Sequence, residues 1–175
     1  AGYAVSANEA LVAVQGAAFY LFCHDDVRLE PDAVRLLVEE AFRSNAGIVG
    51  PKLVEWSDAR RLLSVGMGSD RFGHPAAYVE RGDLDQEQHD AVRDVFYIPG
   101  AVTLVRADLF EELNGFDPAA PPLAADVDFS VRARLAGHRV IVAPRSHVQH
   151  AGLSLAGKRD RGWLGTSPKT ALRRA

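Results

Sequence analysis

Three short stretches carry side chains able to do chemistry. His24-Asp25-Asp26 follows directly on the apolar run Ala17-Ala18-Phe19-Tyr20-Leu21-Phe22-Cys23, so three groups that resist burial stand at the end of a segment that needs burial. Carboxylates there suit Mg²⁺ or Mn²⁺, hard cations that take oxygen ligands and keep open positions for water and phosphate. The plainer alternative is that Asp25 and Asp26 cap the next turn and face solvent. Asp126-Val127-Asp128 marks a helix start, where carboxylates meet unpaired N–H groups and the positive end of the dipole. Asp128 and Arg132 are four apart, the spacing of a helical ion pair. His150 follows a strand and a proline turn, a position that suits a metal ligand and equally an ordinary polar surface group.

The elements that must position these groups are readable from periodicity. Residues 17–23 are too few for a typical helix and right for a strand covered on both faces. The Ala- and Val-rich opening predicts a short helix from about Ser6. A second helix starts near Pro31 with Asp32 in its first turn, and Val34, Leu37, Val38 and Ala41 give it one apolar face. Gly47 to Val54 reads as a second short strand interrupted by a turn signal, and this alternation of helix and strand is most economically a parallel sheet with crossover helices. Ligands of open α/β sheets gather at the carboxyl ends of the strands, where His24 to Asp26 would lie.

From about residue 55 to 93 the pattern weakens to a strand or two joined by long loops, with the charged stretch Arg81 to Asp90 offering no stripe to bury. Val92 to Ile98 predicts a strand ended by Pro99-Gly100, and Ala101 to Val105 a further one. A helix from about Arg106 stops near Gly115. After the loop through Pro121-Pro122, another runs from about Asp126 to Leu135, closes at Gly137 and feeds the strand His138 to Ala143. The expectation is a three-layer α/β domain over residues 1–155 with a mostly parallel central sheet and its opening strands missing. A basic tail over 156–175 reads as mobile or truncated.

Composition narrows the function classes. The 175 residues are 47% hydrophobic, enough for one substantial core. With 20 Lys and Arg against 23 Asp and Glu, the net charge of −3 supplies no field for a polyanion, which disfavours nucleic acid as a partner. The single cysteine, Cys23, makes neither an internal disulfide nor a thiolate metal cluster. No apolar stretch is long enough to span a bilayer in this chain, which leaves open the membrane association of a larger parent.

In combination the stretches resemble glycosyltransferase family 2, the inverting enzymes with the GT-A fold. Gly2-Tyr3-Ala4-Val5-Ser6-Ala7-Asn8-Glu9-Ala10 resembles the family's helix beside the nucleotide-sugar site, which implicates Asn8 there. Tyr20 to Val27, followed by Glu30-Pro31-Asp32-Ala33, is similar to its metal strand and the next helix. The usual Asp-x-Asp falls on His24 and Asp26, so the first acid is replaced and His24 or Asp25 is left to compensate. Pro99-Gly100-Ala101, with Arg106, Phe110 and Gly115-Phe116-Asp117, resembles the acceptor-side stretch. Ala125 to Arg134 resembles the Glu-Asp-x-Asp-Leu-x-x-Arg helix, with Ala125 in the position normally held by Glu, and the family's catalytic base falls on Asp126, which is retained. Val148 to Ser154 is similar to the segment whose histidine, here His150, serves the metal or diphosphate site.

The resemblance implies inverting transfer of a sugar from a nucleotide-diphosphate sugar to a hydroxyl on a saccharide or lipid-linked saccharide. Mn²⁺ or Mg²⁺ would sit on Asp26 with His24, Asp25 or His150, with Asn8, Asp25 and Asp26 toward the donor. Asp126 would act as general base, and Gly100, Asp128 and Arg132 would orient helix and acceptor. It further implies an actinobacterial-type cell-wall or polysaccharide enzyme in the cytoplasm, with the inner face of the cell membrane as one option. Two rivals stand beside it. A non-catalytic module of the same fold draws on His24, Ala125 and the missing opening, and a metal-dependent phosphohydrolase would be built on Asp25 and Asp26.

Overall fold

The computed structural model describes residues 3–121 and 124–152; Pro122 and the basic tail at 156–175 lie outside them. In chain order the elements are α1 (Tyr3–Asn8), α2 (Ala10–Ala13), β1 (Phe19–Cys23), β2 (Val27–Leu29), α3 (Ala33–Ser44), β3 (Ala46–Glu55) and β4 (Leu62–Ser64). There follow β5 (Met67–Ser69), β6 (Pro75–Ala77), β7 (Arg93–Asp94), β8 (Val102–Arg106), α4 (Ala107–Glu112), α5 (Ala125–Leu135) and β9 (Arg139–His150).

The central sheet corrects the expectation of mostly parallel strands. Its order is β1-β8-β3-β9-β2, with β4 added to β3 and β7 to β9. Only β3 and β9 pair in parallel; β1–β8, β3–β8, β3–β4, β2–β9 and β7–β9 are all antiparallel. Because β8 opposes both β1 and β3, the strands β1, β3 and β9 do share one direction, as helix–strand alternation suggests. A reversed strand is inserted between the first two. An apolar run satisfies its backbone against a neighbour of either direction, so the sequence pattern is blind to this choice.

Helices cover both faces, giving three layers. On one side α3 buries Ala33, Leu37 and Ala41 against Val49, Leu53, Leu104, Ile141 and Val148. On the other, α4 and α5 bring Leu109, Phe110, Phe129 and Ala133 onto Tyr20, Ile48, Val105 and Val140, with Tyr3, Ala7 and Leu11 packed at the margin. Phe110, fully buried, has ring contacts at 5.0–5.5 Å with Tyr20, Phe22, Phe116 and Phe129. Truncating such a side chain typically costs ~3–5 kcal/mol.

Local signals end the helices as expected. Gly115 and Gly137 follow α4 and α5 with φ of 70° and 87°, a conformation that favours glycine. The predicted strand at 92–98 shrinks to β7, whereas β9 runs through Pro144. A register shift accommodates that proline, since Ala143 pairs Pro51 while His147 pairs Lys52. The charged stretch after Arg81 is pinned from below: Lys52, 1% exposed, donates to Asp85 at 2.7 Å and Asp90 at 2.5 Å.

Candidate active site

Backbone pairing brings the chemical groups together. The N–H of His24 donates to the Ala101 carbonyl at 2.9 Å, extending the β1–β8 pairing one residue beyond β1 and setting His24 beside Gly100. The chain then turns, and Val27 pairs with His150 where β2 joins the end of β9. The Ala151 N–H closes this corner on the Asp26 carbonyl at 3.0 Å. Asp26 is thereby buried, at 6% exposure, with His150 Nε2 at 3.2 Å and His24 Nδ1 at 3.8 Å from its Oδ1. Asp25 is exposed on the same turn, outside this trio.

The trio passes a simple test for a cation site. One ligand atom from each of His24, Asp26 and His150 lies within 4.8 Å of the others, a span that a single ion can bridge. Two imidazole nitrogens and one carboxylate oxygen suit a transition-series ion such as Mn²⁺ better than Mg²⁺, which takes oxygen and water. Three protein ligands also leave positions for phosphate oxygens.

Asp126 faces this trio across Gly100. It is the second residue of α5, whose N-cap residue is Ala124, so it does not cap the helix. Its Oδ2 accepts the Gly100 N–H at 2.9 Å and its Oδ1 the Val127 N–H at 2.9 Å. Burial pushes its pKa above the usual aspartate value, against the opposing pull of these N–H groups. A methyl placed on Gly100 would lie 3.6 Å from Asp126 Oδ2 and 3.8 Å from His24 Nε2, so Asp126 and the trio border one small space.

Two phenols that the sequence did not single out lie within electrostatic reach of the same carboxylate. Burial pushes Tyr3 up to about 12, and the Asp126 charge adds to the effect; Tyr97 is raised by the same two causes. Tyr3 belongs to the opening helix that carries the family resemblance, which was a usable signal. Tyr97 lies in an unremarkable apolar run and offered none.

The remaining predicted residues brace the site. Asn8 forms a closed amide pair with Phe116, donating from Nδ2 to its carbonyl at 2.7 Å and accepting its N–H at 2.8 Å. Arg132 bonds Asp128 at 2.9 Å, as the i, i+4 spacing predicts, and also donates to the Leu113 and Gly115 carbonyls at 2.8 and 2.9 Å. These bonds lock α1, the end of α4 and α5 into one unit behind Asp126.

The family follows from sequence and geometry together. The model of the glycosyltransferase-like family 2 matches residues 2–166, and the chain belongs to that family. It is 27% identical over 134 residues to the O-antigen biosynthesis protein RfbC of Myxococcus xanthus, a match spanning 74% of this chain and 10% of that protein. Among solved structures it is similar to GalNAc-T7 crystallised with UDP, GalNAc and Mn²⁺, with a TM-score of 0.63 at 12% identity. That match covers 85% of this chain and 30% of the other, and it establishes the fold.

Proposed function

We propose that the protein transfers a sugar from a nucleotide-diphosphate sugar to a hydroxyl acceptor with inversion, assisted by a divalent cation. The observation that carries this is the convergence of His24, Asp26 and His150 with Asp126 on the two sides of Gly100. His24, Asp26 and His150 would hold the cation. When bound there it supplies positive charge against the leaving diphosphate. Asp126 takes the proton of the acceptor hydroxyl as that oxygen bonds to the anomeric carbon. The bond from that carbon to the diphosphate breaks in the same displacement, and its electron pair leaves with the diphosphate.

Burial of Asp126 supports this role, because a desolvated carboxylate is a stronger base than one at the surface. Asp25 is exposed while Asp26 is buried against His150, and this separation favours glycosyl transfer over a phosphohydrolase built on both acids. By analogy with the O-antigen relative, the acceptor is a growing cell-surface or cell-wall polysaccharide, free or lipid-linked. The reaction then belongs in the cytoplasm, at the inner face of the cell membrane. No helix among the described residues is long and apolar enough to cross a membrane.

The test is a donor screen with Mn²⁺, using UDP-, GDP- and dTDP-sugars and following diphosphate release with and without saccharide acceptors. Release with one donor supports transfer. Failure of every donor, together with failure of UDP, GDP and dTDP to bind with Mn²⁺, would favour the non-catalytic module.

A further inference from the structure

Tyr3 borders the candidate site beside His24. It opens α1, its ring edge-on to His24 with centroids 6.4 Å apart and tilted against Phe116 at 5.6 Å. The Asn8–Phe116 amide pair fixes the other end of that helix. The ring contact with His24 sets Tyr3 at the rim of the trio, within electrostatic reach of the Asp126 carboxylate.

That hydroxyl is a donor without a described acceptor. Tyr20, packed in the same aromatic group, donates from its Oη to the Val14 carbonyl at 3.2 Å, the ordinary arrangement for a buried phenol. Among the described residues the Tyr3 hydroxyl makes no hydrogen bond, although its ring is held on two sides. A phenol keeps its proton at neutral pH, so the hydroxyl is available as a donor.

Building on the glycosyl-transfer reading, we propose that the Tyr3 hydroxyl donates a hydrogen bond to a hydroxyl of the transferred sugar. The sugar is the one part of the reacting assembly that must bridge the leaving diphosphate, at the trio, and the acceptor, at Asp126. A neutral, fixed O–H at that junction suits a sugar hydroxyl and adds no charge near the anomeric carbon. It also makes Tyr3 a residue that reads the sugar and not the nucleotide.

Tyr3→Phe tests this, because it keeps the ring and removes only the oxygen. Calorimetric titration with Mn²⁺ present would compare UDP with UDP-glucose and UDP-galactose, GDP with GDP-mannose, and dTDP with dTDP-rhamnose, on wild type and variant. The expected result is a sugar-dependent gain in affinity in the wild type, reduced ~3- to 10-fold in Tyr3→Phe, the scale of one neutral hydrogen bond. Binding of the bare nucleotide and the thermal midpoint stay unchanged. Equal sugar-dependent gains in both proteins would overturn the proposal, as would the absence of any gain in the wild type. A parallel loss of nucleotide affinity and thermal midpoint would assign Tyr3 to packing and overturn it too. Wild type that binds no nucleotide with Mn²⁺ would remove the glycosyl-transfer reading itself, a result distinct from these.

Discussion

The backbone N–H of Gly100 donates to Oδ2 of Asp126 at 2.9 Å, tying the turn before β8 to the first turn of α5. The bond holds the carboxylate still while burial raises its pKa. It joins a glycine and an acid 26 residues apart in the chain. The space beside them is open enough to admit a methyl, and His24 forms its far wall.

Asp126→Asn separates chemistry from folding. Asn retains one acceptor for the two N–H groups that Asp126 serves, which costs about 1 kcal/mol. Against this, it removes the penalty of a buried charge. Since the folded pKa lies above the unfolded one, the carboxyl's contribution to stability is full below the unfolded pKa and lost as pH rises through the folded value. At neutral pH the two changes oppose each other, and the thermal midpoint should stay within a few degrees. Turnover should fall by ~10²-fold or more. In the wild type, kcat/KM should drop as pH falls through a pKa above the ordinary aspartate range, and near-normal turnover in Asp126→Asn would assign the proton to another group.

Asn8→Asp distinguishes bracing from donor binding. The aspartate would lose the bond to the Phe116 carbonyl and set a negative charge against it, a loss of about 1–3 kcal/mol. The thermal midpoint should fall by several degrees, as calorimetric unfolding would register. Gly115 completes this joint: at φ 70° a side chain there would overlap Asn8 Oδ1. A variant with unchanged stability and weakened donor binding would return Asn8 to the nucleotide-sugar site.

What the sequence made legible was local. The seven-residue apolar run, the polar end at His24 to Asp26, and the positive-φ glycines after α4 and α5 all follow from near-neighbour sterics and burial. Strand direction did not follow, because β1 is satisfied by β8 in either sense and periodicity reports only which faces are covered. Long-range polar pairing was equally hidden. Lys52 reads as an interruption in an apolar strand until Asp85 and Asp90 fold over it, and the pairing of Asn8 with Phe116, 108 residues away, leaves no trace in the pattern. His24 and His150 were each ambiguous in isolation. Only the pairing of Val27 with His150 makes them neighbours.

Gly100→Ala probes the space between base and trio. The added methyl meets its neighbours at 3.6–3.8 Å, ordinary contact, so folding should be unchanged or stabilised by ~0.4–1 kcal/mol. Nucleoside diphosphate binding with Mn²⁺ should persist, because the proposed site for both is the trio. The acceptor oxygen would be displaced from Asp126 by about the methyl's width, and misplacement of ~1 Å can cost ~10²-fold in rate. Retained affinity with kcat/KM lowered by at least ~10-fold is the expected kinetic signature. Unchanged kinetics would mean that the acceptor approaches by another route.

His24→Asp asks whether the imidazole is a ligand and what it selects. Its Nδ1 stands 3.8 Å from Asp26 Oδ1, and its side chain is 25% exposed, so a shorter acid fits without a buried-charge penalty of its own. The substitution restores the Asp-x-Asp pattern and changes the donor set from two nitrogens and one oxygen to one nitrogen and two oxygens. Oxygen-rich sets favour Mg²⁺, whereas imidazole favours ions later in the transition series. Wild type should therefore prefer Mn²⁺ strongly, and His24→Asp should remain active with a lower ratio of Mn²⁺- to Mg²⁺-supported turnover. Asp26→Asn is the companion variant, expected to lose metal affinity by more than the ~10- to 100-fold that follows loss of an outer-sphere partner. If the metal ratio were the same in wild type and His24→Asp while Asp26→Asn still abolished metal binding, the cation would rest on Asp26 and His150 alone, with His24 serving as a wall of the acceptor space.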